Sequence, residues 1–168
     1  ERVYLGLGWS SVPGGQDLDL DASVCLFEGT ECVDIISFMK LRDKPPPAAT
    51  CVHTGDILTG ANGKSSKSAE TDLERIYLDL HRLPLNVNII MLVVNVFTPG
   101  ATFSQVAQAH CRCVNADTDQ ELSRFQLANL KGNGLIFGQL QRVAPSELHW
   151  RFVALGMARD GRTANELV

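Results

Sequence analysis

Positive charge is in short supply here. The 168 residues carry 15 Lys and Arg against 19 Asp and Glu, a net charge of -4, and the basic residues form no stripe. A nucleic-acid surface is therefore not expected. Long hydrophobic runs are also missing: the longest apolar stretch, Ile89 to Phe97, is interrupted by Asn95 and is far too short to cross a bilayer as a helix. No membrane span is expected. The five cysteines, Cys25, Cys32, Cys51, Cys111 and Cys113, are odd in number and have neither disulfide-framework nor zinc-ligand spacing. That favours reduced thiols in a cytoplasmic setting. Internal repeats, a long helical period and a second domain are absent too, and the four histidines are scattered.

What is present is an ordinary globular composition, 45% hydrophobic and 20% charged, long enough for one domain with a substantial core. Its first residue is Glu1, which suggests a trimmed product or one domain of a longer protein. Strand patterns recur throughout. They cover Arg2 to Trp9, Gln16 to Leu26, Cys32 to Met39, Glu70 to Leu80, Asn86 to Phe97, Ala109 to Asn115, Gln120 to Leu127, Gly134 to Val143 and His149 to Gly156. Gly6 and Gly8 break the first alternation, Arg42 to Ala49 reads as a proline-rich exposed connection, and Thr102 to Gln108 allows one helical turn. About ten short strands with a turn every ten residues or so predict an all-β, antiparallel two-sheet β-sandwich with short helical turns.

The second strand pattern holds the strongest chemical signal. Alternation puts Leu18, Leu20, Ala22, Val24 and Leu26 on one face and Asp17, Asp19, Asp21, Ser23 and Cys25 on the other. Carboxylates gathered on one strand face repel one another unless a cation joins them, which points to a hard-metal site. The spacing from Asp17 to Glu28 imitates an EF-hand loop. Ala22 stands where that loop needs glycine, however, and the Gly, Ser and Pro of Gly6 to Gly15 argue against the helix that must precede it. An acidic strand without a ligand is the bland alternative. A second set of oxygen donors surrounds His53 to Gly60 and Glu70 to Glu74: Asp56, Asp72 and Glu74 supply carboxylates, and Thr59 and Asn62 supply backbone carbonyls.

Several blocks then resemble one family in its own order. They are Leu7-Gly8-Trp9, Leu18-Asp19-Leu20-Asp21-Ala22-Ser23, His53-x-Gly55-Asp56-x-x-Thr59-Gly60, Ile136-Phe137-Gly138-x-Leu140-x-Arg142 and Trp150-x-Phe152-x-Ala154-x-Gly156. The sequence resembles the TerD family over nearly its whole length, as a single domain spanning 1–168. The resemblance implies a two-sheet sandwich from the tellurite-resistance and stress-response proteins, some of which bind calcium in an acidic loop. It matches Asp19 and Asp21 to the family's acidic strand, Asp56 to its Gly-Asp turn, and Asp72 and Glu74 to the acidic end of its calcium loop. The middle of that loop departs, because Ala61 to Ala69 carries Lys64 and Lys67 in place of acids, and Ile57 replaces an asparagine. Two functions follow: a non-enzymatic domain that binds calcium and meets other proteins of a stress-response assembly, or a divergent interaction domain without the ion. The only nucleophile-and-base pairs, Ser23 or Cys51 with His53, suit packing equally well.

Overall fold

The computed structural model describes residues 1–58, 60, 71–128, 130–144 and 148–168. Among these residues ten strands run β1 (Arg2–Ser11), β2 (Leu20–Glu28), β3 (Glu31–Ile36), β4 (Cys51–His53), β5 (Glu74–Asp79), β6 (Ile89–Val96), β7 (Val106–Asn115), β8 (Gln120–Gln126), β9 (Gly134–Arg142) and β10 (Trp150–Arg159). They form two five-stranded sheets, one in the order β4-β5-β1-β7-β8 and the other β10-β9-β6-β2-β3. All pairings are antiparallel. The expected two-sheet sandwich is what the chain builds. Among the described residues, a 3-10 turn (Phe103–Gln105) and a short helix α1 (Ala164–Leu167) are its helical pieces.

The alternation in the acidic stretch sets the core. Leu18, Leu20, Ala22, Val24 and Leu26 all join the main inter-sheet cluster, facing Val3, Leu5, Leu7 and Trp9 of β1 and Ile76 and Leu78 of β5. Burial of that face is the dominant stabilising term, at about 25 cal/mol per Å² of apolar surface. The strand itself starts later than its pattern suggests. Asp17 to Asp19 lie ahead of β2, and Asp17 is exposed. The opposite face of the strand is only partly given to carboxylates: Cys25 and Phe27 join Val93 and Ile136 in a second apolar layer capped by Ala164 and Leu167 of α1.

Gly6 and Gly8 do not interrupt β1, which runs on to Ser11. Tyr4, Gly6 and Gly8 alternate with the core residues and so face outward, where a bare backbone admits Thr71 and Asp72. A Cβ at Gly6 would lie 2.6 Å from Asp72 Cγ, and one at Gly8 would meet the Thr71 carbonyl oxygen and the His110 ring. The Asp72 carboxylate fills that space and is fully buried. Arg112 clamps it with two hydrogen bonds, Nε to Oδ1 at 2.8 Å and Nη2 to Oδ2 at 2.7 Å. Arg75 Nε donates to Oδ2 at 2.9 Å, and His110 Nε2 lies 3.2 Å from Oδ1. Burial alone would raise this carboxyl's pKa, but the hydrogen bonds from His110, Arg112 and Arg75 outweigh it and hold the group well below the usual carboxylate range.

Gly6→Ala should therefore push the Asp72 carboxylate off its guanidinium partners. Overpacking of this kind costs about 1–3 kcal/mol, so the thermal midpoint should fall by several degrees in a calorimetric scan. An unchanged midpoint would mean that the clamp contributes little.

Candidate functional site

The acidic end of β2 lies at a gap in sheet pairing. On one side β2 pairs with β6 along its whole length, from Leu20 opposite Val96 to Phe27 opposite Ile89. On the other side β3 reaches only as far as Val24. The first residues of β2 thus lack a strand neighbour along one edge. Glu74, at the start of β5 in the opposite sheet, crosses to that edge: its Oε2 accepts the Ala22 N–H at 3.1 Å, and its Oε1 accepts the Ile57 N–H at 3.1 Å. This buried carboxylate holds the loop after β4 against β2. His53 completes the support. Gly55 N–H donates to His53 Nδ1 at 3.0 Å, so in the neutral ring Nε2 carries the proton, 3.5 Å from Glu74 Oε2.

Asp56 is drawn to the acidic strand as a result. One oxygen each from Asp19, Asp21 and Asp56 lies within 4.8 Å of the others. Asp19 is further fixed through its backbone, with its N–H donating to Thr98 Oγ1 at 2.9 Å and its carbonyl accepting the Phe97 N–H at 2.9 Å. Asp21 is 3% exposed, and neither of its carboxylate oxygens has a hydrogen-bond partner. Burial and then the charges of Asp19, Glu74 and Asp56 push its carboxyl up to about 8. Burial and then the charges of Asp56 and Glu74 raise Asp19 to about 6. No basic side chain is among the causes of either shift. Asp21 is buried, Asp19 half-buried and Asp56 exposed, and together the three carboxylates form a hard-oxygen donor set that could hold a metal ion.

The seven residues singled out in the sequence separate here. Asp19, Asp21 and Asp56 come together, and Glu74 lies behind them with both oxygens taking backbone N–H groups. Asp72 stands apart on the outer face of the other sheet, its oxygens occupied by Arg112, Arg75 and His110. Its lone pairs are spent on guanidinium groups, so it belongs to the clamp rather than to the carboxylate group. Thr59 and Asn62 fall outside the described residues. His53, read in the sequence as a possible base beside Ser23 or Cys51, instead supports the loop, and Asn95 was not foreseen as part of this neighbourhood. Asn95 is the one polar break in the apolar run of β6, and it sits directly opposite Asp21 with its Nδ2 donating to the Gly161 carbonyl at 2.6 Å.

A model of the TerD domain matches residues 1–167. The chain belongs to the TerD family. It is 35% identical to the tellurium resistance protein TerZ of Serratia marcescens, over 99% of this chain and 84% of that one. It is 33% identical to general stress protein 16U of Bacillus subtilis, over 97% of this chain and 83% of that one. Among solved structures, a homologue of telluride resistance protein (TerD) from Streptomyces coelicolor A3(2) superposes with a TM-score of 0.76 at 18% identity, over 96% of this chain and 91% of that one. At that identity the likeness is one of fold, and it is the TerD sandwich.

The raised carboxyls of this TerD domain set a pH dependence with a definite sign. Folded, Asp21 keeps its proton up to about pH 8 and Asp19 up to about pH 6. An unfolded aspartate releases its proton near pH 3.9. The metal-free fold therefore loses stability as pH rises from about 4 to about 8. Thermal midpoints in chelator should fall across that window, and Asp21→Asn should flatten the decline and raise the midpoint at pH 8. A midpoint that rises with pH in chelator would contradict this account.

Proposed function

We propose that this TerD-family domain is a calcium-binding module of the stress-response and tellurium-resistance type, with Asp19, Asp21 and Asp56 holding the ion and a surface offered to other proteins of a stress-response assembly. One observation carries the reading: the Asp21 carboxylate, buried and without a hydrogen-bond partner, faces two more carboxylates across less than 4.8 Å. Such a group is costly alone and becomes favourable once a divalent cation supplies the missing charge. Glu74 and His53 do not donate to the ion in this scheme. They hold Asp56 and the edge of β2 in place. The relatives' names, with their tellurium-resistance and general-stress roles, supply the biological setting.

The proposal is of a binding protein rather than an enzyme. Cys51, the thiol nearest in sequence to His53, is fully buried in the main core, and burial drives its pKa far up. Activation of a nucleophile requires the opposite shift. Ser23 is likewise buried. A cytoplasmic setting accords with five cysteines that form no disulfide.

The test is thermal unfolding in chelator and then in millimolar calcium, with magnesium as control. A ligand bound only by the folded state adds about 2.7 kcal/mol at a hundredfold excess over Kd, which is several degrees for a domain of this size. The calcium shift should vanish in Asp21→Asn and grow between pH 6 and 8, because the ion must displace protons from Asp19 and Asp21. No calcium shift in the parent protein would overturn the metal reading. It would favour the divergent interaction domain suggested by Lys64 and Lys67.

A further inference from the structure

The five cysteines look unrelated along the sequence, yet the fold brings two of them together. Cys25 of β2 and Cys32 of β3 lie on neighbouring antiparallel strands, with Cys32 opposite Phe27 and Cys25 opposite Ile35. A register shift between Leu26 and Phe27 inserts one extra β3 residue, Val33, between these pairs. Cys25 and Phe27 share the outer face of their sheet, so Cys32 stands on that face diagonal to Cys25, within side-chain reach. The two thiols are close enough to act on each other, and the Cys32 thiol donates to the Asp34 carbonyl oxygen at 3.7 Å.

Access differs between the two sulfurs. Cys32 is exposed, whereas Cys25 lies beneath it at the margin of the apolar layer capped by α1. The other three thiols, Cys51, Cys111 and Cys113, are enclosed in the main core between the sheets. Burial raises the pKa of both Cys25 and Cys32, so the pair is a dithiol at neutral pH.

We propose that Cys25 and Cys32 form a bidentate site for a soft, thiophilic, trivalent metalloid centre, entered from Cys32 and closed by Cys25. Thiol sulfur is the soft donor that such centres prefer over the oxygen ligands of the carboxylate group. Two strands already hydrogen-bonded to each other hold the sulfurs adjacent, so the second bond forms intramolecularly and at a high effective concentration. With phenylarsine oxide the step is a condensation: two arsenic–sulfur bonds form, the arsenic–oxygen bond breaks, and the oxygen leaves as water with both thiol protons. Arsenic stays trivalent, and nothing is oxidised or reduced. The site is independent of the calcium reading, and either can fail without the other.

The experiment treats the reduced, folded chain with one equivalent of phenylarsine oxide and reads intact mass and free thiols. The expected product carries one phenylarsenic group, has lost two of its five thiols, resists a monothiol competitor and is reversed by a dithiol. Cys32→Ser should give no adduct. Cys25→Ala should bind through one sulfur only, with resistance to the monothiol lowered roughly a hundredfold, and Cys51→Ala should behave as the parent. Should Cys25→Ala fail to fold, the exposed Cys32→Ser decides the matter alone. Five free thiols remaining in the parent, or an adduct that survives Cys32→Ser and maps to Cys111 and Cys113, would overturn the proposal.

Discussion

Glu74 is the contact on which the acidic end of this sandwich depends. Its carboxylate leaves one sheet and meets the Ala22 N–H at the unpaired edge of β2 in the other. A buried backbone N–H without a partner is costly, and no strand is available there to satisfy it. The same carboxylate takes the Ile57 N–H, which sets the position of the neighbouring Asp56. One buried side chain thus ties two sheets and a loop together. His53 Nε2 lies 3.5 Å from the same carboxylate.

The clamp around Asp72 anchors the same segment from its other side. Only Leu73 separates Asp72 from Glu74, so the chain is gripped on the outer face of β1 and again where it enters the gap by β2. These two acids face opposite electrostatic surroundings. Asp72 is surrounded by donors and stays ionised, while burial and then like charges raise the carboxyls of Asp19 to about 6 and of Asp21 to about 8. The structural acid is paired, whereas the acids of the proposed metal site are left short of partners. That contrast separates the ligand group from the clamp more sharply than any spacing does.

Two chemistries then lie on one strand. The N-terminal end of β2 offers hard oxygen donors at Asp21 and, just before the strand, Asp19, whereas its outer face further along offers the sulfur of Cys25 beside Cys32. Hard and soft donors kept this far apart in kind do not compete for the same ion. The strand can carry both because its inward face, Leu20 to Leu26, already supplies what the core needs.

Much of the fold was legible in the alternation of side chains, because a period of two is a local property of a strand and needs no knowledge of its neighbours. The inward set of β2, and Ile76, Leu78 and Leu80 in and just after β5, followed from it directly. The carboxylates Asp19 and Asp21 were visible as candidates for the same local reason, since acids on a buried-looking strand are unusual, and Asp56 was visible as the acid of a Gly-rich turn matched by the TerD resemblance. Their convergence was not visible, for it depends on where β3 ends and on Glu74 crossing between sheets. Asp72 looked equivalent to Glu74 by composition. Only the placement of Arg112 and Arg75, brought beside it by strand order, gave it a different role. Gly6 and Gly8 read as breaks, yet they are where another segment crosses the strand. The pairing of Cys25 with Cys32 rests on hairpin register and one extra residue in β3. Residue types and periods determined which faces are buried and which groups have chemistry to offer. Strand order and register, which are set by contacts between residues distant in sequence, decided which of those groups meet.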